Sequence, residues 1–278
     1  DATTYAIRSD GSLWSWGWNE KGQGGNGVSE RTATPTLADG NRVWKKAVGG
    51  KAYGFFLAED GSLWAAGTHE GGVQGTNDGI DHKVLTRIGT DNDWADMACS
   101  RFWGYSGFAI KTNGTLWAWG KNSAGQLGIG NTQAQTAPVQ VGADMDWKQV
   151  AAGCSSVLAL KTDGSLWGWG FNMYSELFGH EGKQLSPVRL GSETDWEQVV
   201  VIDFRAYAVK KDGTLWAWGD NANNLLGFNT PTEEETTAEG NPVEVVTVPQ
   251  ITAPTHVTSI EGKVLTISGC ENTLSVAT

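Results

Sequence analysis

Four histidines, three cysteines and 31 acidic side chains are the groups of this 278-residue chain best suited to chemistry. The histidines, His69, His82, His180 and His256, are scattered. His69-Glu70 and His180-Glu181 set a base beside an acid, but no HExxH and no second histidine at ligand spacing accompanies them. No GxSxG turn offers a serine nucleophile. Cys99, Cys154 and Cys270 form no CxxC pair, and their odd number excludes a complete disulfide framework; they read as small buried thiols. Residues 22–27 are glycine-rich but open no predicted helix, so they lack the helix start that cradles a phosphate. DNDWAD at 91–96 lacks the glycine and glutamate positions of a calcium loop. Catalysis would then rest on carboxylates paired across loops, the apparatus of a glycoside hydrolase. No cofactor and no metal site is expected.

Whatever these groups do, a phrase repeated five times must position them. DGSLWSWG (10–17), DGSLWAAG (60–67), NGTLWAWG (113–120), DGSLWGWG (163–170) and DGTLWAWG (212–219) place a leading tryptophan at intervals of 50, 53, 50 and 49 residues. A period near fifty fits four-stranded propeller blades and is too long for helical solenoids. Strand-like runs such as YGFFLA and VLALKT precede the phrase. Asp-Gly or Asn-Gly then predicts a two-residue type I′ hairpin, which needs positive φ at both residues. In the second strand Trp14 and Trp16 share one face, Leu13 and Ser15 the other; apolar residues on both faces mean a sheet covered on both sides. A further marker, Trp44–Val48, Trp94–Met97, Trp147–Val150 and Trp196–Val199, predicts the innermost strand of each following blade. Asp93, Asp146 and Asp195 precede three of these markers and are expected to bond nearby backbone N–H groups. Short outer strands are expected at 138–141 and 187–190.

The run Trp119-Gly-Lys-Asn122-Ser-Ala-Gly125-Gln126-Leu127-Gly128-Ile-Gly130 resembles the repeat of the regulator of chromosome condensation family, as does the pairing of LALKxDGxLWxWG with an upstream W-x-x-V. The resemblance covers roughly residues 1–248 and implies an all-β propeller. Its copies decay: His69 replaces the asparagine found at 19, 122, 172 and 221, and the fourth and fifth copies lose the Gly-Gln pair. Family members range from a nucleotide-exchange factor for a small nuclear GTPase to a secreted β-lactamase inhibitor, so the fold does not fix the function. Residues 249–278 read as a degenerate sixth blade in which VTSI-EG-KVLTIS mimics strand-turn-strand. TLSVAT would then supply the inner strand missing before residues 3–8 and close the ring. The alternatives are five or seven blades, or, for 249–278, a likeness to the opening of C-terminal sorting modules on exported Bacteroidetes proteins.

Thirteen of the fifteen tryptophans fall at equivalent repeat places, nine in the phrase and four heading inner strands. Equivalence is what packing between like neighbours requires, so these rings read as core, each contributing on the order of 2–3 kcal/mol by area alone. Trp18 and Trp103 have no repeat role. Propeller topology sends first-to-second and third-to-fourth strand connections to one end. That end gathers Trp18, Phe102, Trp103, Tyr105, Phe171, Tyr174, Phe204 and Arg205 as a candidate binding face. A net charge of −11 opposes nucleic acid and anionic membranes, and no stretch approaches the 18 apolar residues of a span. The acidic run 233–235 reads as a solvated, mobile loop. Together these features predict a non-enzymatic, monomeric, exported bacterial propeller that binds a protein or a glycan. The alternatives are a polysaccharide hydrolase or lyase using loop carboxylates, and a passive surface or adhesion module of a longer chain.

Overall fold

The computed structural model describes residues 3–101, 104–228, 234–236, 242–244, 250–260, 262–270 and 273–278. Every sheet is antiparallel. The first has three strands in the order of the chain, β1 (Thr3–Ile7), β2 (Leu13–Gly17) and β3 (Thr32–Asp39). The second is β4 (Trp44–Gly49), β5 (Tyr53–Ala58), β6 (Leu63–Gly67) and β7 (His82–Arg87). The third is β8 (Trp94–Cys99), β9 (Ser106–Lys111), β10 (Leu116–Gly120) and β11 (Gln135–Gln140). The fourth is β12 (Trp147–Ala152), β13 (Ser156–Lys161), β14 (Leu166–Asn172) and β15 (Gly182–Arg189). The fifth begins with β16 (Trp196–Ile202), β17 (Arg205–Lys210) and β18 (Leu215–Asp220). A short pair, β19 (Glu234–Thr236) and β20 (Pro242–Glu244), precedes its outer strand, β21 (Gln250–His256). A hairpin of β22 (Thr266–Cys270) and β23 (Thr273–Ala277) follows. The inner strands β4, β8, β12, β16 and β22 pack one against the next, so the sheets are arrayed as propeller blades.

The turn in the repeated phrase differs from the expected type I′ form. Only its glycine has positive φ (+77° to +87°), and the glycine N–H bonds the carbonyl three residues back, as Gly164 does to Lys161 at 3.0 Å. This is a type I turn closed by a left-handed glycine, the three-residue hairpin. A side chain there would also strike the next blade, for a Cβ on Gly61 would lie 2.1 Å from the Asn92 carbonyl oxygen. The freed Asp or Asn side chain builds a relay that explains the phrase letter by letter. Asp163 Oδ1 accepts from Ser165 N at 2.8 Å and from Ser165 Oγ at 2.6 Å, and that hydroxyl accepts from Trp167 Nε1 at 2.9 Å. The same relay joins Asp10, Ser12 and Trp14; Asp60, Ser62 and Trp64; Asn113, Thr115 and Trp117; and Asp212, Thr214 and Trp216. The Ser165 hydroxyl and amide hold the Asp163 carboxyl below the usual range.

Asp93, Asp146 and Asp195 do not serve as the expected backbone acceptors; their carboxylates pair with lysines. Lys161 Nζ lies 2.7 Å from Asp144 Oδ2 and 3.0 Å from Asp146 Oδ1, between the rings of Trp147 and Trp167 at 5.0 and 4.6 Å. Lys111 and Lys210 repeat this clamp in the third and fifth sheets. In the second sheet Ala58 holds the lysine place, and Arg42 covers Trp64 from the preceding loop at 4.0 Å. The leading tryptophans are thus half-buried and cation-covered, whereas Trp44, Trp94, Trp147 and Trp196 are buried.

The second tryptophan of the phrase joins neighbouring sheets. Trp119, Trp169 and Trp218 are fully buried and donate their indole N–H, each at 2.8 Å, to Val73, Gln126 and Glu176 carbonyls in the preceding sheet's loop. Ala66 cannot donate to the corresponding Gln23 carbonyl, and Tyr5 Oη does so at 2.9 Å. Likewise Tyr207 Oη reaches the Leu225 carbonyl at 2.7 Å. Where the next sheet supplies the indole, the tyrosine place holds Phe55, Phe108 or Leu158. The hydroxyl therefore appears where the loop carbonyl has no indole donor from the next sheet. A bulge after each inner-strand tryptophan turns the residue two places on toward the next inner strand. Gln149 thereby donates to Val199 O at 3.1 Å and accepts from Val199 N at 3.0 Å, and Gln198 does the same with Leu265 O and Ile267 N.

The last segment is arranged differently from the expectation. Residues 257–260 are not a strand; Val257 N bonds Leu215 O as Leu190 N bonds Leu166 O, so they cross between sheets. Val264, whose N–H bonds Gly213 O, takes the place of an inner-strand tryptophan. Thr273–Ala277 pairs with β22 and not with β1. Within the expected acidic loop, residues 234–236 form β19, and Glu233 lies outside the described residues.

Candidate partner-binding face

At the end of the fold opposite the phrase turns, the β12–β13, β14–β15 and β16–β17 connections meet. Tyr174 and Phe204 are in ring contact there, with centroids 4.9 Å apart and planes at 48°. Both rings are half-buried, and Met173 beside them is 47% exposed. The supporting backbone is bent sharply, with Ser175 and Asp203 in the left-handed region at φ 66° and 55°. Directly after this bend Glu176 is fully buried. Its Oε2 accepts from Tyr174 N at 2.8 Å and its Oε1 from Ser156 Oγ at 3.3 Å. Burial pushes its carboxyl up to about 7, against the pull of those hydrogen bonds. Cys154 Sγ lies 3.7 Å from Asp203 Oδ1, and Arg205 Nη2 lies 3.4 Å from Asp203 Oδ2. Burial, followed by the Asp203 charge, pushes the Cys154 thiol up to about 12, which leaves it protonated and a poor nucleophile.

Of the eight aromatic and basic residues expected on one face, the six that the structure describes do not all come together. Tyr174 and Phe204 meet. Phe171 is half-buried on β14, where its N–H bonds Ser155 O at 2.9 Å. Trp18 is half-buried on the first sheet, and its carbonyl accepts from Thr3 Oγ1 at 2.5 Å. Tyr105 is an interior residue, 6% exposed, packed on Tyr53 at 5.9 Å. Arg205, 4% exposed, is turned inward onto Asp203. Loop position told which end these residues occupy; the left-handed backbone at Tyr105 and the ion pair of Arg205 with Asp203 accompany the two side chains that fold under. Phe102 and Trp103 lie outside the described residues. Sequence reasoning passed over Glu176 and Met173. Superposing the repeats exposes the former, since Gln23, Val73, Gln126, Glu176 and Leu225 share one place and only Glu176 is acidic.

Three of the four histidines are occupied locally. His69 Nδ1 lies 2.6 Å from Asp81, His82 Nε2 2.8 Å from Asp78, and His180 Nε2 3.2 Å from the Arg189 carbonyl. The paired loop carboxylates at 91 and 93, 144 and 146, and 193 and 195 hold lysines at the opposite end. Among the described residues, no helix is long and apolar enough to cross a membrane.

Residues 10–57 and 113–160 match the model of the regulator of chromosome condensation (RCC1) repeat. The ultraviolet-B receptor UVR8 of Arabidopsis thaliana is 30% identical over 154 residues, which is 54% of this chain and 34% of the receptor. The mitochondrial RCC1 domain-containing protein RUG3 of the same plant is 36% identical over 145 residues, 50% of this chain and 32% of its own length. Yeast RCC1 (Prp20), solved with Kap60 bound, superposes with a TM-score of 0.79 at 19% identity over 99% of this chain and 64% of that one. This chain therefore spans about a third of those curated relatives and under two thirds of the yeast propeller. In its repeats and throughout its fold, it is similar to propellers built from the RCC1 repeat.

Proposed function

We propose that this chain is a member of the RCC1 repeat family and a non-enzymatic, monomeric scaffold that binds a protein partner through Met173, Tyr174 and Phe204. The carrying observation is that two aromatic rings and an exposed methionine share one bend, while His69, His82 and the loop carboxylates at 91 and 93, 144 and 146, and 193 and 195 are paired within the structure. Aromatic and methionine side chains are enriched in protein interfaces, where they anchor in a partner's pockets. The 48° tilt of the rings makes an apolar ridge, a shape suited to a groove on a protein more than to the flat face of a sugar. Likeness to repeat proteins that act as binding scaffolds or regulators supports the same reading, and yeast Prp20 binds Kap60 on a related fold. Export to a bacterial surface belongs to the proposal too; its support is the likeness of 249–278 to the opening of C-terminal sorting modules on exported Bacteroidetes proteins, and fractionation of the source cells tests it.

The experiment selects binders of the wild-type protein from a displayed protein library and measures them against two variants. Y174S/F204S should weaken the selected binders at least tenfold, while L37S/V43S, at exposed apolar sites away from the bend, should leave them unchanged. Binders indifferent to Y174S/F204S would refute the proposal, as would turnover of any member of a glycan panel.

A further inference from the structure

The asparagine at 19, 122, 172 and 221 performs one task in four copies of the outer loop, and His69 does not perform it. In each copy the side-chain oxygen accepts the backbone N–H five residues on, from Gly24, Leu127, Leu177 and Leu226 at 2.7, 2.9, 3.0 and 2.9 Å. The amide nitrogen donates to carbonyls further along, as Asn122 does to Asn131 O at 2.9 Å and Gln133 O at 3.0 Å. In the second sheet the loop keeps its course. Gly75 N bonds Gly72 O as Gly128 N bonds Gly125 O, and Asp78 accepts from Ile80 N as Asn131 does from Gln133 N. The His69 ring, however, is half exposed and turned onto Asp81. Among the described residues nothing accepts from Gln74 N, the counterpart of Leu127 N.

A second substitution falls at that same place. Leu127, Leu177 and Leu226 are buried, and Gln74, 1% exposed, takes their position. Its Nε2 donates to Thr68 O at 3.0 Å, but its Oε1 is buried and meets no donor among the described residues. An orphaned buried acceptor is costly, so a donor brought to it is favoured. Gln74 lines a cavity of about 110 Å³ together with His69, Gly72, Thr76 and Thr136. One water needs only about 10–15 Å³, so the cavity has room for a small molecule.

We propose that this cavity binds a primary carboxamide, the group that the asparagine side chain supplies in the other copies. The ligand's oxygen accepts from Gln74 N, and its NH₂ group donates to Gln74 Oε1. An ammonium ion has no acceptor for that N–H, and a carboxylate has no donor for that oxygen. Asp78 and Asp81 are already paired, the first with His82 and the second with His69 and Lys21, so a neutral ligand fits better than a cation. The carboxamide belongs either to a free small amide or to an asparagine or glutamine side chain of a peptide. This site is independent of the Tyr174–Phe204 bend.

The test titrates acetamide into the full chain and follows the backbone and side-chain amides of Gln74 by NMR. Both should shift saturably in the millimolar range, a strength within reach of so small a ligand. Exchange of the Gln74 N–H should slow at least tenfold at saturation. Ammonium, acetate and N,N-dimethylacetamide should do neither at equal concentration. Two variants copy the other repeats: H69N returns the asparagine and Q74L the leucine. Each should weaken acetamide binding at least tenfold, and H69N should protect the Gln74 amide without any ligand. Shifts of the same resonances by Gly-Asn-Gly but not by Gly-Asp-Gly would assign the carboxamide to a peptide side chain, and shifts by acetamide alone to a free amide. The absence of a saturable shift with acetamide, an equal response to dimethylacetamide, or undiminished binding in H69N would make the cavity a water site and overturn the proposal.

Discussion

Replacing Lys161 with methionine isolates the clamp that recurs under three of the five sheets. Methionine keeps the aliphatic stem between Trp147 and Trp167 and removes only the charge. The ammonium lies 5.0 and 4.6 Å from the two ring centroids, and a partly desolvated cation–π contact contributes about 1 kcal/mol. Asp144 and Asp146 are 51% and 46% exposed, so they rehydrate when the lysine goes, and each ion pair counts for under about 1 kcal/mol. The expected loss is therefore about 2 kcal/mol, a fall in melting temperature of roughly 4–8 °C in calorimetry. K161R should lose less than half of that. Burial lowers the Lys161 pKa, but Asp144 and Asp146 outweigh it and raise the value overall. The clamp is then intact below the ordinary lysine range and weakens only as pH climbs through the raised value, so the penalty of K161M should be constant from pH 6 to pH 9. A K161M protein within about 0.5 kcal/mol of wild type, or K161R as unstable as K161M, would refute the charge-based explanation.

Y207F should cost about 1 kcal/mol because it removes the hydroxyl that the part-buried Leu225 carbonyl accepts from, while F108Y, whose neighbouring carbonyl already has the Trp169 indole, should not stabilise; urea unfolding measures both. S165A breaks the Asp163–Trp167 relay and should cost about 1 kcal/mol by the same assay, with the Asp163 carboxyl moving up toward its ordinary value in an NMR titration. Q149L removes two hydrogen bonds between inner strands and should speed amide exchange at Val199 about tenfold, leaving the core of the third sheet unchanged.

Periodicity made the blades legible, because a chain that repeats a burial pattern must repeat a packing arrangement. The strand pairs and their inner tryptophans follow directly from it. Hydrogen-bond stoichiometry was less legible: Asp-Gly pointed to type I′, but a serine two residues on captures the aspartate and favours the type I turn. In the tail the hairpin lies later than the repeat pattern suggests, because Val264 fills a tryptophan's place with no aromatic signal and the Glu-Gly at 261–262 mimics the Asp-Gly of the phrase. At the candidate site, topology told which end each loop occupies but not whether a ring points out or under. Tyr105 and Tyr174 have similar sequence surroundings, yet one lies against Tyr53 in the core and the other against Phe204 near solvent. Glu176 was visible only as a break in a column of repeats.

Amide exchange on the complex with the tightest selected protein binder tests the partner site most directly. Protection should concentrate at residues 172–178 and at 203–204. Protection confined to the phrase turns at 8–12, 112–115 and 162–165, with the aromatic bend unchanged, would contradict it.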